Sequence, residues 1–365
     1  MKNSFGSSII ITLFGESHGD YIGAVLDGIA PGIKIDREYI GRKLALRRPA
    51  GKISTARVEA DEYEIISGVK GDYTSGTPLC ILIKNTNKKS ADYGDILDIP
   101  RPGHADYTAR EKYHGFEDHR GGGHFSGRIT AALVAVGAIL SCALENKGIK
   151  IGSHITELHG AFDRRFDDIS SDIDLVNSRE FPVLTDVAEE KMKKEIAKAA
   201  EMGDSVGGIL ESAIIGLPAG LGEPWFDSME SMLSHGLFSI PGVKGVEFGL
   251  GFAFADVYGS EGNDAFAIRD GKVATESNNN GGINGGITNG MPVVFRTVIK
   301  PTPSIFKSQN SISLTKMENT ELKLEGRHDP AIIHRARAVV DAVTAIVIAD
   351  MLAMRYGTDY LAANN

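Results

Sequence analysis

Cysteine and tryptophan are nearly absent: the 365 residues hold two of the first and one of the second. Cys80 and Cys142 cannot build a disulfide framework and read as reduced core residues. Long apolar runs are missing too. The most apolar stretches, 9–14 and 131–140, fall short of the ~18 residues that span a bilayer. The opening MKNSFGSS lacks the apolar region and cleavage site of a signal peptide. Positive charge is also in deficit, with 39 Lys and Arg against 48 Asp and Glu and a net charge of -9. General nucleic-acid binders show the opposite balance. The expectation is a cytoplasmic protein that binds neither membrane nor nucleic acid.

Glycine is what the chain has in excess: 43 residues, against a usual share of roughly 7%. No G-X-Y period accompanies them, so they read as tight turns and close backbone approaches. The β-branched run 8–14 and the segment 21–27 predict strands, as do 65–66, 79–83, 208–216, 244–256 and 291–299. Asp36 is placed to cap a helix that Pro49 stops. A helix from Ser126 to about Lys147 is apolar on most faces. A second, from Asp329 as N-cap and Pro330 at N1 to about Arg355, is apolar over so much circumference that it must lie deep in a core. Met192, Ile196, Ala199 and Ala200 give 186–202 the stripe of an amphipathic surface helix. Residues 84–126 read as a long polar loop. No repeat and no linker divides the chain. The fold class is α+β, one domain over 1–365, with long buried helices layered on strand clusters rather than a doubly wound parallel sheet.

Charge is unevenly spread. Arg37, Arg42, Lys43, Arg47, Arg48, Lys52 and Arg57 are opposed only by Glu38. They form either a solvated helix face or a pocket for a small polyanion. Gly15-Glu16-Ser17-His18-Gly19 matches the G-x-S-x-G nucleophile elbow, which requires strand, turn and helix; here a strand follows. Ser17 and His18 either close a turn or face a ligand. The run from Gly122 to Ile129 is a near miss to a P-loop, without its lysine or hydroxyl. Glycines 121–123 before a helix N-terminus still suit an anion. No G-x-G-x-x-G follows a strand, so a Rossmann site is not indicated. The ten histidines include no HExxH, and no metal site is expected. His104 is either bonded to Asp106 or poised as an acid/base group. The Asn/Gly tract 278–286 is a flexible loop or backbone wrapped against a flat ligand.

Taken in order, GESHG at 15–19, LRRP at 46–49, RPGHADYT at 101–108, RGGG at 120–123, GLGEP at 220–224, GGINGGITNG at 281–290, KPTPS at 300–304 and GRHDP at 326–330 form one ordered set. The set resembles the chorismate synthase family over essentially the whole chain. The resemblance implies a single-domain β-α-β sandwich with long helices between antiparallel sheets, assembled as a homotetramer. It implies trans-1,4 elimination of phosphate from 5-enolpyruvylshikimate 3-phosphate to give chorismate, in the shikimate pathway of aromatic amino-acid biosynthesis. The cofactor would be reduced FMN.

By that similarity His18, His104 and Asp329 are catalytic: His18 protonates the departing phosphate, His104 serves the flavin, and Asp329 helps pass on the ring proton. Arg47, Arg48, Lys52, Arg128 and Arg327 would neutralise the substrate, a task that suits the bidentate guanidinium. Flavin contacts would come from Ser17, His124, Phe125, Ser126, Pro241, Gly242, Gly285, Lys300, Pro301, Thr302, Pro303, Ser304 and Arg327. The segment 124–127 reads His-Phe-Ser-Gly where many members carry Arg-Ser-Ser-Ala, and Pro241-Gly242 stands for a usual Asn-Ala. Pro303 replaces a small residue, and Lys52 stands where Arg is common. A catalytically silent flavin- or anion-binding homologue is the other reading. Without a dinucleotide fingerprint, the chain reads as relying on externally reduced FMN rather than on its own NADPH site.

Overall fold

The computed structural model describes residues 2–49, 60–86, 98–326 and 328–362. One five-stranded antiparallel sheet contains β1 (Ser4–Phe5), β2 (Ile10–Gly15), β3 (Tyr21–Asp27), β4 (Tyr63–Ser67) and β5 (Leu79–Lys84), in the order β1-β2-β3-β5-β4. A second contains β6 (Lys150–Leu158), β7 (Ala161–Phe162), β8 (Gly208–Ile215), β9 (Val243–Phe248) and β10 (Val293–Ile299), in the order β9-β10-β8-β6-β7. The principal helices are α1 (Arg37–Arg47), α2 (Asp106–Tyr113), α3 (Thr130–Glu145), α4 (Ile169–Ser178), α5 (Asp186–Glu201), α6 (Met229–Phe238) and α7 (Ile333–Tyr356).

Helices α3 and α7 are the middle layer. α3 packs on β3 and β5, α7 on β6 and β8, and each helix packs on the other. Both are buried on nearly every face; α3 is apolar almost all round, while α7 also buries Arg337, Asp341 and Asp350. Their backbones meet at Gly137, where a Cβ would sit 2.4 Å from the Cβ of Ala342; only glycine allows that approach. Length and composition alone would let Gly127–Glu145 cross a membrane, but 83% of it is buried inside the protein. The N-terminal strand is pinned to this layer by Asp350, whose carboxylate accepts from the backbone N–H of Ser7, Ser8 and Ile9 at 2.9, 2.7 and 2.8 Å. The architecture is the α+β, β-α-β layering that the sequence leads one to expect, with antiparallel sheets around long helices.

Several local expectations need correction. The region 84–126 is not all loop: it contains α2, with only Ala109 buried, too little apolar periodicity to announce a helix. The strand expected over 244–256 stops at Phe248 and gives way to the 3-10 turn Gly251–Asp256. The last helix begins at Ile333, not at Asp329, and Ile332 occupies its N-cap. Asp329 is drawn instead to the guanidinium of Arg335, while the carbonyl of Pro330 accepts from Val206 N at 2.8 Å. Cys80 and Cys142 are free but half-buried rather than core. The G-x-S-x-G run lies between antiparallel β2 and β3; without a following helix it is no nucleophile elbow.

Candidate active site

The centre of the site is built by glycine. Gly121, Gly122 and Gly123 all have positive φ, at 59°, 82° and 52°, a region that costs little only for a residue without Cβ. A Cβ on Gly121 would fall 2.2 Å from Cε1 of His18 and 3.0 Å from Oγ of Ser17. One on Gly122 would fall 3.2 Å from Cε1 of His104. Adjacent glycines thus back onto the two imidazoles, which come from segments far apart in the chain. Ser17 N donates to Gly123 O at 3.0 Å and Nδ1 of His124 donates to Gly15 O at 2.8 Å, which lock the 121–125 loop against the turn carrying His18. Ser17 and His18 are both buried. Among the described residues, Ser17 Oγ has no hydrogen-bond partner.

The rigid turn 101–106 positions His104. Its Nδ1 lies 2.6 Å from Oδ1 of Asp106. Arg101 Nη2 also lies 3.0 Å from this Nδ1, but the carboxylate contact is the shorter, and a carboxylate only accepts, so Nδ1 carries the hydrogen toward Asp106 and Nε2 is the nitrogen left on the Gly122 side. Arg101 clamps the same carboxylate, with Nε and Nη2 each at 2.7 Å. Burial pushes the Asp106 carboxyl up, but the bonds from Arg101 and His104 outweigh it and hold the group below the usual carboxylate range. The bond to Asp106 and the acid/base posture of His104 are therefore compatible.

A layer of guanidiniums lies beside the histidines. Arg128 and Arg47 are 6% and 4% exposed, too buried to remain unpaired. Asp61 answers both: Oδ1 accepts from Arg128 Nη1, and Oδ2 from Arg47 Nη2 at 3.1 Å. Arg128 Nε donates to Oδ1 of Asn85 at 3.0 Å. Arg335 donates from Nε to the carbonyl of Arg47 at 2.8 Å and from Nη1 to Oδ2 of Asp329 at 2.7 Å. Ser126 caps the turn Gly127–Ile129 that leads into α3 and presents Arg128.

These elements open on a cavity of about 820 Å³, within the size of a small-molecule site. Its lining includes the charged or titratable Arg47, His104, Arg128, Asp329 and Arg335 and the apolar Ile129, Leu133, Ile240, Ile332, Val339 and Val343. Of the residues expected at the site, Arg47, His104, His124, Phe125, Ser126, Arg128, Pro241, Gly242, Lys300, Pro301, Thr302, Pro303, Ser304 and Asp329 line it. His18 and Ser17 stand behind Gly121. Arg48 and Gly285 are not among the lining residues; Gly285 turns the short hairpin Ile283–Asn284 to Ile287–Thr288. Lys52 and Arg327 lie outside the described residues. Near the rim, burial and then Lys244 push the Lys300 amine down, and its Nζ donates to Gly103 O.

The basic run divides. Of its described members, only Arg47 lines the cavity; Arg42 and Lys43 lie over the ring of Tyr39 on another face of α1. Asp61, Asn85 and Arg335 are the members of the site that the sequence does not announce, since each is a single polar residue outside any motif. Among the described residues no group of three His, Cys, Asp or Glu side chains could hold a metal.

Two antiparallel sheets around buried helices, with His104 and the guanidiniums of Arg47, Arg128 and Arg335 lining one cavity and His18 behind Gly121, define an α+β scaffold with a charged small-molecule site. The chorismate synthase family model matches residues 9–353. The chain is 47% identical to the chorismate synthase of Pyrococcus abyssi, over 96% of this chain and 97% of that one. It is 45% identical to that of Dehalococcoides mccartyi, over 98% of each. A solved structure described as a crystal structure of chorismate synthase superposes with a TM-score of 0.75 at 30% identity, covering 97% of this chain and 94% of the other. The chain belongs to the chorismate synthase family.

Proposed function

We propose that the protein catalyses the trans-1,4 elimination of phosphate and a ring proton from 5-enolpyruvylshikimate 3-phosphate, giving chorismate, with reduced FMN as cofactor. The observation that carries this reading is the meeting of His18 and His104 at Gly121-Gly122, on a cavity that Arg47 and Arg128 also line.

The cavity fits a flavin. Its apolar lining suits a flat ring system, and Lys244 and Lys300, near enough for Lys244 to push the Lys300 amine down, suit an anionic tail. Thr302, on the lining, has a buried Oγ1 without a partner among the described residues, as does Ser17 nearby. His124 to Ser126, Pro241-Gly242 and Lys300 to Ser304 would hold the group. When bound, reduced FMN supplies the electron density that no side chain can.

The chain's own groups bind, orient and move protons. Arg47, Arg128 and Arg335 counter the substrate's phosphate and carboxylates, in a buried setting where such charge pairing is strong. His18 holds the proton that passes to the leaving phosphate oxygen. His104, with its tautomer set by Asp106, offers Nε2 toward the Gly122 side of the cavity. Asp329, held by Arg335, helps pass on the ring proton once it has left the substrate. A carbon–oxygen lyase of this kind belongs to aromatic amino-acid biosynthesis; a cytoplasmic homotetramer fed with externally reduced flavin is part of the same proposal. Exposed Phe252, Tyr258, Phe266 and Ile268 give such an assembly apolar surface to bury. The test is anaerobic incubation with FMN, dithionite and substrate. Phosphate and chorismate should appear in equal amounts, and their absence rejects the reading.

A further inference from the structure

One side chain holds both the turn that carries His18 and the guanidinium of Arg128. Asn85 directly follows β5 and is 6% exposed. Its Nδ2 donates to Glu16 O at 3.0 Å and to Gly19 O at 2.9 Å, one on each side of Ser17-His18. Its Oδ1 accepts from Arg128 Nε at 3.0 Å, and its backbone N–H donates to Asp20 O at 3.0 Å. The amide can face only one way: carbonyl oxygens only accept and a guanidinium only donates, so a flipped amide would clash at all three contacts. Both amide hydrogens and the oxygen are thereby used.

The geometry points to Asn85 as a positioning residue: it fixes the distance between the His18 turn and Arg128, so that the proton for the leaving group and the charge that neutralises it arrive together. The inference rests on the roles given above to His18 and Arg128. No other common side chain of this size fits. Aspartate keeps the acceptor for Arg128 but sets a carboxylate oxygen against two carbonyl oxygens, and alanine or serine drops the clamp. A misplacement of about 1 Å can cost about 100-fold in rate.

The experiment is a double-mutant cycle on the full chain with reduced FMN, comparing wild type, Asn85→Asp, His18→Ala and the double variant. Each is read by anaerobic phosphate release, thermal melting and the 13Cε1-histidine NMR signal of His18, assigned by its loss in His18→Ala. Asn85→Asp is expected to lower kcat roughly 10- to 100-fold, with KM moved far less, and to displace the His18 signal. It should add little further loss in the His18→Ala background, as groups acting as a unit are non-additive. An equal loss in both backgrounds, or an unmoved His18 signal, overturns the inference. If His18→Ala keeps wild-type turnover, the role of His18 fails on its own, and the NMR signal in Asn85→Asp still decides the positioning. Should Asn85→Asp melt far below wild type, Asn85→Ser enters the same cycle and is judged by the same outcomes.

Discussion

Oδ2 of Asp61 lies 3.1 Å from Nη2 of Arg47, and the two side chains are 0% and 4% exposed. Asp61 also receives Nη1 of Arg128, so one carboxylate holds two buried guanidiniums. Breaking a buried ion pair by removing one partner costs about 3–5 kcal/mol. Asp61→Asn should therefore lower unfolding stability by roughly 3 kcal/mol in urea titrations. The phosphorylated substrate, by supplying anions to both arginines, should stabilise the variant more than the wild type. An unchanged urea midpoint would show that the arginines do not depend on Asp61.

Gly121 is irreplaceable on steric grounds. In Gly121→Ala the new Cβ meets the His18 ring at 2.2 Å and sits on a backbone with φ of 59°. Turnover should fall by on the order of 100-fold while the protein still folds. Gly32→Ala is the control: its φ is 83° but its Cβ would meet nothing within 4 Å, so it bears the backbone strain alone. Equal activity in Gly121→Ala and wild type would place His18 elsewhere.

Asp106 links acid stability to the His104 site. Its folded-state carboxyl is held below the usual range, so its contribution is present above about pH 4 and is lost as pH falls further. Melting curves between pH 6 and 3 should show a shallower acid loss in Asp106→Asn than in wild type. The same variant no longer fixes the His104 tautomer, so kcat should drop roughly tenfold or more at neutral pH. Parallel melting curves would contradict the first expectation, and wild-type kcat the second.

His334 works in a different pH window. Burial first, then Arg335 and Lys193, push its imidazole down to about 3, and it stacks on Phe181 with ring centroids 5.9 Å apart. The unfolded chain takes up a proton near pH 6.5, whereas the folded one refuses it until about pH 3, so stability falls as pH drops across that interval. Replacing it in His334→Gln should flatten this slope in melts from pH 7 to 4. A slope identical to wild type would mean that His334 does not control it.

The regular elements were legible because their patterns are local. The run 21–27 emerges as β3 with the expected bounds, and 186–202 as α5 to within a residue, because alternation and a four-residue stripe need no tertiary information. Helix α2 was not, since its sequence DYTAREKY shows a core almost nothing. The start of α7 shifted because Asp329 has a better partner in Arg335 than in the helix's own amides. At the site, motifs marked the right segments but not their meeting. That Gly121 lies against His18, or that Asp61 bridges Arg47 and Arg128, depends on sheets and helices far apart in the chain. The two readings of the basic run could not be separated for the same reason: helix α1 carries Arg42 and Lys43 over Tyr39 while Arg47 enters the cavity.

In the proposed reaction one cavity holds flavin and substrate together. Titrating FMN into the protein with and without 5-enolpyruvylshikimate 3-phosphate, followed by flavin absorbance, tests it most directly. A substrate-dependent spectral shift and tighter flavin binding are expected, both weakened in Arg128→Ala. Flavin spectra and affinity indifferent to the substrate would contradict it.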